Sequence, residues 1–366
     1  MPRAPQVGVI GAGIVGLSVA YALVEQEAEV RVYESGVPGN GQSGGDSRIF
    51  RHAHDDPRLV AFARDSRSVW NEWAERLGVE LVSGDGAVAL GPAVEDRLRT
   101  LEQVGGVGAR MIDSSELAEL LPALAGYSGP AMLDEGGGAI RARAAIEALA
   151  GELGGSLQAD EVISLRPTAQ GTVEVRAGGT TCEHERVVVC AGRGTASLAR
   201  GVGLSLPVRL GAHVRGTYRV RGEAPASLAC LQDSSGDFGE VGTYAAPSPG
   251  NRSYGVGLSH TVEVQEDGSL VDVDALASLD ERASAYVARA LPGLDPEPVE
   301  HRHCWVTDVP WSTDGMAVWE AEGIYFVAGH NLFKQAPGLG RALARAALGE
   351  ELASELRPEA KLGEAQ

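Results

Sequence analysis

The chain is poor in positive charge and almost free of lysine. It has 31 Lys and Arg residues against 50 Asp and Glu, a formal net charge of −19 at pH 7, and its only lysines are Lys334 and Lys361. So acidic a protein repels phosphate backbones and anionic lipid headgroups, which argues against nucleic-acid and membrane-surface partners. A lysine kept in an arginine-rich chain indicates a position that needs a compact point charge, because a guanidinium is a rigid planar fork. Lys334 is therefore a candidate functional cation.

Cysteine is scarce as well. The chain has four cysteines, which are widely separated and show no metal-ligand spacing: Cys182, Cys190, Cys230 and Cys304. This pattern argues against a disulfide framework and against a zinc site. We therefore expect no metal, and a protein that works in a reducing compartment.

A long uninterrupted apolar run is also missing. Residues 7–24 are weakly polar, but glycines interrupt them, no strongly basic segment precedes them, and an acidic stretch follows at once. A signal peptide would need a basic start and a small-residue cleavage site, and a membrane span would need a continuous apolar run. We expect a cytoplasmic protein without a membrane partner.

The chain is large enough for two lobes. With 366 residues, of which 44% are hydrophobic and 22% charged, it can bury more than one core. Residues 6–33 have the pattern of strand, glycine turn, helix and strand, whereas residues 208–260 alternate in short runs broken by Gly, Pro and Asn, as in an antiparallel sheet. A strand at 325–328 and a helix at 341–352 follow, and the charged tail from Arg357 is predicted to fray.

Strand–helix–strand elements at both ends of the chain, with antiparallel material between them, predict an α/β fold. In this fold a discontinuous Rossmann-type nucleotide-binding domain is interleaved with an antiparallel-sheet substrate domain. We assign residues 1–85, 137–207 and 300–366 to the nucleotide domain. The substrate domain comprises residues 86–136 and 208–299.

A glycine motif follows the first strand directly. Gly11, Gly13 and Gly16 fit G-x-G-x-x-G at the junction of strand and helix. The first glycine makes the tight turn, the second lets the backbone approach a pyrophosphate at the helix N-terminus, and the third lets helix and strand pack closely. Glu34, at the end of the second strand, suits a ribose diol. The motif predicts a bound dinucleotide and does not distinguish FAD from NAD.

Three further segments resolve that choice. They read SGGDSRIFRHA at 43–53, RHCWVTD at 302–308 and GHNLFKQAPGLG at 329–340. Together with the glycine motif, they resemble the sarcosine oxidase family within the D-amino acid oxidase superfamily of FAD-dependent amine oxidoreductases. The resemblance extends over nearly the whole chain and is thin in the middle, and it implies FAD as the cofactor.

The resemblance implies roles for residues around the flavin ring. Ser43 opens the segment that crosses the flavin, and Arg48 corresponds to the arginine that covers one flavin face. Gly338 and Gly340 suit close approach of the backbone to the flavin at a helix start, where the helix dipole favours negative charge. Cys304 lies where the family carries the cysteine that joins FAD through sulfur at the 8-methyl carbon. We therefore expect a covalent flavin.

The resemblance also implies a way of binding the substrate. Arg51 and Lys334 correspond to two cations that pair with a substrate carboxylate, and contacts of this charge-assisted kind fix an amino or imino acid by its acid end. Tyr244 matches an active-site tyrosine of the family. The implied substrate is a small molecule that carries a carboxylate.

One family residue is absent. Aligned from Tyr244 without a gap, Gly255 takes the position of a lysine that promotes the reaction of reduced flavin with oxygen. Arg252 and His260 are candidate replacements, and a different catalytic strategy is a further interpretation. The electron acceptor is the least determined part of the function.

The sequence thus predicts an FAD-dependent oxidase of a small carboxylate-bearing secondary amine, imine or nitrogen heterocycle, with molecular oxygen as acceptor. A tailoring role in secondary metabolism is one interpretation. A flavin dehydrogenase or atypical oxidase with another acceptor is an alternative, because the lysine is absent. A second alternative is an FAD-binding subunit that needs a partner chain, although the retention of Arg51 and Lys334 argues against an idle site.

Overall fold

The computed structural model describes residues 7–265 and 268–364, so Gln6, predicted to open the first strand, lies outside them. This part of the chain has eight α-helices and twenty β-strands. The helices are α1 (Ile14–Glu25), α2 (Pro57–Leu77), α3 (Val94–Val104), α4 (Ser114–Leu120), α5 (Ala142–Leu153), α6 (Thr195–Gly201), α7 (Val273–Ala290) and α8 (Ala336–Ala347). The strands are β1 (Val7–Ile10), β2 (Val30–Glu34), β3 (Ser47–Phe50), β4 (Ala87–Leu90), β5 (Ala109–Met111), β6 (Ala131–Asp134), β7 (Gly138–Arg141), β8 (Leu157–Ala159), β9 (Val162–Pro167), β10 (Val173–Ala177), β11 (Thr180–His184), β12 (Arg186–Val189), β13 (Arg209–Arg219), β14 (Cys230–Asp233), β15 (Thr243–Pro247), β16 (Ser253–Leu258), β17 (Val262–Glu263), β18 (Glu300–Asp308), β19 (Met316–Ala321) and β20 (Ile324–Gly329).

The chain divides into two compact units, each built from separate segments. Unit 1 comprises Met1–Gly44, Arg143–Arg209 and Val306–Gln366, and unit 2 comprises Gly45–Ala142 and Leu210–Trp305. Each unit has sheets and hydrophobic clusters of its own. Each unit is therefore stabilised by strand pairing and a hydrophobic core of its own.

The two compact units divide the chain at other points than the predicted domains. Residues 45–85, 137–142 and 300–305 were assigned to the nucleotide domain and belong to unit 2, whereas residues 208–209 were assigned to the substrate domain and belong to unit 1. Strand pairing accounts for this difference, because β3 pairs with β7, with Ile49 opposite Ala139. In addition, β18 pairs with β13. Pairings between strands so far apart in the sequence left no signal in its periodicity.

The main sheet of unit 1 positions the glycine motif. Its strand order is β19-β20-β12-β1-β2-β8, and β1 runs parallel to β12 and β2, with Ile10 opposite Val189 and Tyr33. Such apolar, mostly buried strands are typical of parallel sheets covered on both faces. The order reverses at β1, so the carboxyl ends of β1 and β12 form the switch point at which doubly wound sheets bind ligands. The strands β9, β10 and β11 form a separate antiparallel sheet in this unit.

Helix α8 packs on helix α1 through a glycine. A Cβ on Gly340 would lie 2.6 Å from the carbonyl carbon of Ser18, so only glycine allows the two helices this close approach. Helix α8 begins at Ala336 with Pro337 in its first turn, where the missing N–H of proline costs no intrahelical hydrogen bond. The sequence placed this start at 341, too late, because the run of Pro and Gly has poor helix propensity.

Unit 2 has a large mixed sheet, mostly antiparallel as the sequence predicted. Its strand order is β17-β13-β16-β15-β14-β4-β6-β5, with β18 beside β13, and β14 runs parallel to β4. Tyr254 and Tyr286 are completely buried, and the hydroxyl of Tyr254 donates to the carbonyl oxygen of Ala229 at 2.6 Å. Tyr286, on α7, donates to Asp233 Oδ2 at 2.8 Å. Hydrogen bonds of this kind let the phenols serve as core residues.

The C-terminal tail is docked, contrary to the predicted fraying. Two short 3-10 turns follow α8, Ser354–Leu356 and Pro358–Ala360, and Leu362 is only 1% exposed. The carbonyl oxygen of Leu362 accepts hydrogen bonds from Trp311 Nε1 at 3.1 Å and from the Met316 N–H at 3.3 Å. A single buried leucine thus anchors a segment whose overall charge predicted an exposed end.

Two kinds of feature are missing from residues 7–265 and 268–364. No helix there is long and apolar enough to cross a membrane. The same residues contain no group of three or more His, Cys, Asp or Glu side chains that could hold a metal ion. The four cysteines are free thiols.

Candidate functional site

In unit 1, the turn after β1 is so tight that it requires glycine. Gly11 has a φ of 97°, which L side chains rarely adopt, and its N–H donates to the carbonyl oxygen of Tyr33 at 2.8 Å. A Cβ on Gly11 would lie 2.5 Å from the carbonyl oxygen of Cys190, and one on Gly16 would lie 1.9 Å from the carbonyl oxygen of Gly11. The turn and the close packing expected of these two glycines both need this geometry.

Two polar side chains brace the same turn. Glu34 Oε2 accepts a hydrogen bond from the Ala12 N–H at 2.7 Å, and Ser43 Oγ accepts one from the Ile14 N–H at 3.0 Å. The N-cap residue of helix α1 is Gly13, which has no side chain to cap the helix, and such helix N-termini attract anions. The structure brings together the predicted nucleotide-binding residues Gly11, Gly13, Gly16, Glu34 and Ser43. Because side chains are excluded from the turn and the turn leads into the N-terminus of α1, this position fits a dinucleotide diphosphate.

In unit 2, three predicted residues from distant parts of the sequence are electrostatic neighbours. Arg48 lies on β3, Tyr244 on β15 and Cys304 on β18. Burial raises the pKa of the Tyr244 hydroxyl well above its usual range, and the Cys304 thiol adds to the rise. Burial and the neighbouring Arg215 guanidinium lower the pKa of Arg48 to about 10. The four side chains form a group that we call the β-sheet cluster: Arg48, Arg215, Tyr244 and Cys304.

Strand β13 contributes two polar side chains that the sequence reasoning missed. His213 and Arg215 are each only 8% exposed. Nδ1 of His213 lies 3.3 Å from the Tyr244 hydroxyl oxygen, and Arg215 Nη1 donates to the Ser47 carbonyl oxygen at 2.8 Å. The signal was available, because His213, Arg215 and Thr217 alternate with other residues along one strand. Side chains two apart share a face of a strand, so a buried polar row of this kind indicates a functional face.

Cys304 is buried in β18, whereas its neighbour His303 is exposed. Successive side chains of a strand point to opposite faces, so the imidazole of His303 is not directed at the thiol. The charged neighbour of Cys304 is Arg48. The link from Cys304 to FAD stays a prediction.

Arg51 lies just after β3, in a segment held by a buried carboxylate. Its Nη1 contacts the carbonyl oxygen of Ala53 and lies 3.3 Å from Nδ1 of His54. Asp134 accepts hydrogen bonds from the His52 backbone N–H at 2.6 Å and from His52 Nδ1 at 2.9 Å. This double contact fixes the backbone beside Arg51 and gives the segment a definite position.

Lys334 lies in unit 1, immediately before α8, and is 4% exposed. Its Nζ donates to the carbonyl oxygen of Asn331 at 3.2 Å, and Asn331 Nδ2 donates to Asp314 Oδ1 at 2.6 Å. His330 Nδ1 donates to the Thr313 carbonyl oxygen at 3.0 Å. His330 and Asn331, which had no predicted role, therefore hold the loop that carries Lys334. The joint grip of Arg51 and Lys334 on a carboxylate stays a prediction.

The two candidate replacements for the absent lysine are both exposed. Arg252 is exposed directly before β16, and His260 is exposed directly after it. The electrostatic neighbour of His260 is Glu240, which pairs with Arg282. Neither candidate is among the charged neighbours of Arg48.

Gly338 and Gly340 lie in the first turns of α8. The close approach that Gly340 allows is to α1, which accounts for its lack of a side chain. An approach of either glycine to the flavin stays a prediction.

Comparison with known proteins assigns the family. The chain matches the model of the FAD dependent oxidoreductase family over residues 6–346, and it belongs to this family. It is 27% identical over 379 aligned residues to the glycine oxidase of Geobacillus kaustophilus (strain HTA426), covering 96% of this chain and 95% of that protein. It is 32% identical to monomeric sarcosine oxidase of Bacillus sp. (strain NS-129) over 87 residues, which are 23% of this chain and 22% of that protein.

The fold has a solved counterpart. The structure of NikD, described as an unusual amino acid oxidase essential for nikkomycin biosynthesis, matches with a TM-score of 0.81 and 20% identity, over 98% of this chain and 97% of that one. The predicted membership of the sarcosine oxidase and D-amino acid oxidase superfamily is confirmed. The protein is an FAD-dependent oxidoreductase with a mixed α/β fold.

Proposed function

We propose that this protein is an FAD-dependent oxidase of a small amine that carries a carboxylate, namely a secondary amine, an imine or a nitrogen heterocycle. The observation that carries the proposal is the grouping of Arg48, Tyr244 and Cys304, drawn from three distant segments of a chain in an FAD-dependent family. FAD, when bound, supplies the two-electron acceptor. The protein supplies binding, orientation and charge.

Each unit would hold a different part of the cofactor. In unit 1, the glycine turn and the N-terminus of α1 would hold the diphosphate, and Glu34 would meet the ribose diol. In unit 2, Arg48 would lie against the ring and Cys304 would form the covalent tether. The burial of Cys304 supports this tether because a link to the ring requires a sulfur inside the fold.

The substrate would be held by its acid end. Arg51 and Lys334 would provide two cations for one carboxylate, and a contact of this kind sets the orientation of an amino acid. Tyr244 keeps its proton throughout the neutral range, because its pKa is raised, so it would act as a hydrogen-bond donor. The carbon next to nitrogen would thereby be presented to the ring in one orientation.

The electron acceptor and the biological role are further parts of the proposal. Molecular oxygen is the acceptor we favour. Gly255, where the family carries a lysine, supports the alternative of a dehydrogenase that uses another acceptor. NikD is described as an enzyme of nikkomycin biosynthesis, and the likeness to its fold motivates a tailoring role in secondary metabolism.

An absorption spectrum before and after acid precipitation tests the proposal most directly. We expect a yellow protein whose washed, denatured pellet stays yellow, and a Cys304→Ser variant whose flavin moves to the supernatant. A colourless wild-type pellet with free FAD in solution would remove the tether and leave the oxidase proposal standing. A purified protein that binds no flavin would overturn both.

A paired substrate panel tests the carboxylate grip. Glycine, sarcosine and L-proline are each compared with the matching amide, with hydrogen peroxide as the readout. We expect Arg51→Gln and Lys334→Gln each to weaken binding of the acid by about 2–4 kcal/mol, as the loss of one partner of a buried charge pair does, and to affect the amide much less. Equal losses for acid and amide would show that these cations do not bind the carboxylate.

A further inference from the structure

The guanidinium of Arg215 lies where a side chain on residue 255 would be. A Cβ built on Gly255 would lie 2.9 Å from Arg215 Nε, 3.0 Å from Nη2 and 3.1 Å from Cζ. In the pairing of β13 with β16, Thr217 is opposite Gly255 and Arg215 is opposite Gly257. The arginine therefore reaches diagonally across the face of the sheet onto the glycine. Such diagonal neighbours are within reach of a long side chain.

Arg215 is held in place and buried. Its Nη1 donates to the Ser47 carbonyl oxygen at 2.8 Å, and Arg48 Nη1 donates to the same oxygen at 2.8 Å. In the described part of the chain, no carboxylate forms an ion pair with Arg215. A fixed, mostly buried cation of this kind is costly unless an anion meets it.

Three guanidinium groups converge beside a glycine at the start of unit 2. A Cβ on Gly45, whose φ is 107°, would lie 3.2 Å from Arg48 Nη1, 3.6 Å from Arg302 Nε and 3.8 Å from Arg215 Nη2. Arg302 has Glu300 at 3.8 Å, which offsets part of its charge. Arg215 and Arg302 border a small pocket together with Gly255, several hydroxyls and the carboxylates of Asp46 and Glu300.

We propose that Arg215, with Arg48, binds negative charge that forms at this face during turnover, and so supplies from β13 the cation that β16 lacks at Gly255. The inference rests on the proposed function, because flavin reduction is what generates that charge. The charge has two possible carriers, the reduced ring and the reduced oxygen acceptor. Both are anionic and both would be stabilised by a fixed guanidinium, which is preorganised and needs no reorganisation at the moment of reaction.

The position of the Arg215 guanidinium depends on the lack of a side chain at Gly255. A side chain at residue 255 would displace the guanidinium of Arg215. The site can therefore hold a cation from β13 or a side chain from β16, but not both. This predicts a reciprocal exchange. The charge lost in Arg215→Gln should be restored by adding Gly255→Lys, whereas Gly255→Lys alone should crowd the site.

The test uses the flavin-loaded full chain. Arg215→Gln removes the charge and keeps a donor for the Ser47 oxygen. Its matched control is Arg219→Gln, an exposed arginine on the same strand. Three quantities are measured: the midpoint potential of the bound flavin under argon, the rate of reoxidation by oxygen, and the rate of reoxidation by a neutral dye.

We expect Arg215→Gln to slow reoxidation by oxygen about 10²–10³-fold, the usual effect of losing one preorganised electrostatic group, and the double variant to recover most of it. Arg219→Gln should stay within about twofold of wild type, as surface substitutions usually do. A more negative potential, with reoxidation by both acceptors unchanged or faster, identifies the ring as the carrier, because a less stabilised reduced ring gives up its electrons more readily. An unchanged potential with only the oxygen rate affected identifies the acceptor.

The result that overturns the inference is a flavin-loaded, substrate-reducible Arg215→Gln variant with wild-type potential and oxygen rate. Failure of the proposed function looks different, because the wild type itself would then bind no flavin or oxidise no amine. If Arg215→Gln does not fold, Arg215→Met makes the same comparison, because it also removes the charge, and full retention of the wild-type rates by the double variant Arg215→Gln with Gly255→Lys supports the exchange. Absence of recovery in a folded double variant counts against it.

Discussion

The surroundings of Arg48 disfavour the charged form of its side chain. Burial and the like charge of Arg215 lower the pKa of Arg48 to about 10, while the Cys304 thiol and the Tyr244 hydroxyl act in the opposite direction. An unfolded chain keeps the proton on this arginine to higher pH. From about pH 10 up to the higher pKa of an unfolded arginine, the unfolded state therefore binds more protons, and the contribution of Arg48 to stability rises with pH in that window.

This coupling predicts a titration that can be observed directly. In protein labelled with ¹³C at arginine Cζ, one guanidinium should titrate near pH 10, and its signal should be missing in Arg48→Gln. Arg215→Gln should raise that pKa, because it removes a neighbouring positive charge. Arg219→Gln is the control and should leave it in place. A titration that does not move in Arg215→Gln would show that the two guanidiniums are not coupled.

At the scale of the element, the contact between α1 and α8 depends on a glycine that the sequence assigned to the flavin. Gly340→Ala places a Cβ 2.6 Å from the Ser18 backbone, and a forced contact of this kind destabilises a packed core by about 1–3 kcal/mol. The measurement is urea unfolding. Gly151→Ala is the matched control, because it lies in α5 with nothing within 4 Å of an added Cβ, and it should be neutral or stabilising by up to about 1 kcal/mol.

The same helix pair separates the two predicted roles of Gly340. If its lack of a side chain serves packing alone, Gly340→Ala should lower the free energy of unfolding of the flavin-free and flavin-loaded protein equally. A loss confined to the loaded form would point to contact with the cofactor. Equal stability of variant and wild type in both forms would contradict the packing account.

The elements differ in how far the sequence could predict them. The first strand, helix and strand were predictable because apolar periodicity and a glycine turn agree within about 25 residues, and local signals of this kind are reliable. The start of α8 at Ala336 was not, because Pro337, Gly338 and Gly340 oppose helix propensity and tertiary packing overrides them.

The residues of the candidate site also differ in how far the sequence could predict them. Gly11, Gly16 and Glu34 were predictable because a contiguous motif carries them. The polar row on β13 could have singled out Arg215, but its position beside Gly255 could not be predicted, because the pairing of β13 with β16 sets it and one sequence does not reveal strand register. The missing lysine at Gly255 was visible, and its replacement one strand away was not.

At the scale of the whole molecule, the last residues of the chain complete unit 1. Leu362 is buried and its carbonyl oxygen accepts from Trp311 Nε1, next to the loop whose Asp314 holds Asn331 and thereby Lys334. We expect Leu362→Ala to cost about 2–5 kcal/mol, as buried leucine truncations do. Chemical unfolding measures the change, and Glu359→Ala, at an exposed position of the same tail, should stay within about 0.5 kcal/mol of wild type.

The substrate affinity distinguishes two ways in which this tail acts. A weaker binding of the carboxylate substrate in folded Leu362→Ala would mean that the tail steadies the Lys334 loop. Lower stability with unchanged affinity would mean that the tail serves packing alone. A variant as stable as wild type would contradict the anchoring role of Leu362.

The strand order of unit 1 also sets the order in which its main sheet can assemble during translation. Strand β1 is made about 180 residues before its neighbour β12, which pairs with it through Val7 and Arg186, and β20 joins β12 only through residues near 324. At translation speeds of about 5–20 residues per second, β1 waits on the order of 10–35 s for β12 and longer for β20 to follow. Until β12 is made, β1 can pair only with β2 and one of its edges stays open, and an open apolar edge of this kind is prone to aggregate. The yield of active protein should therefore depend on chaperones that shield nascent chains, more strongly than its final stability would indicate.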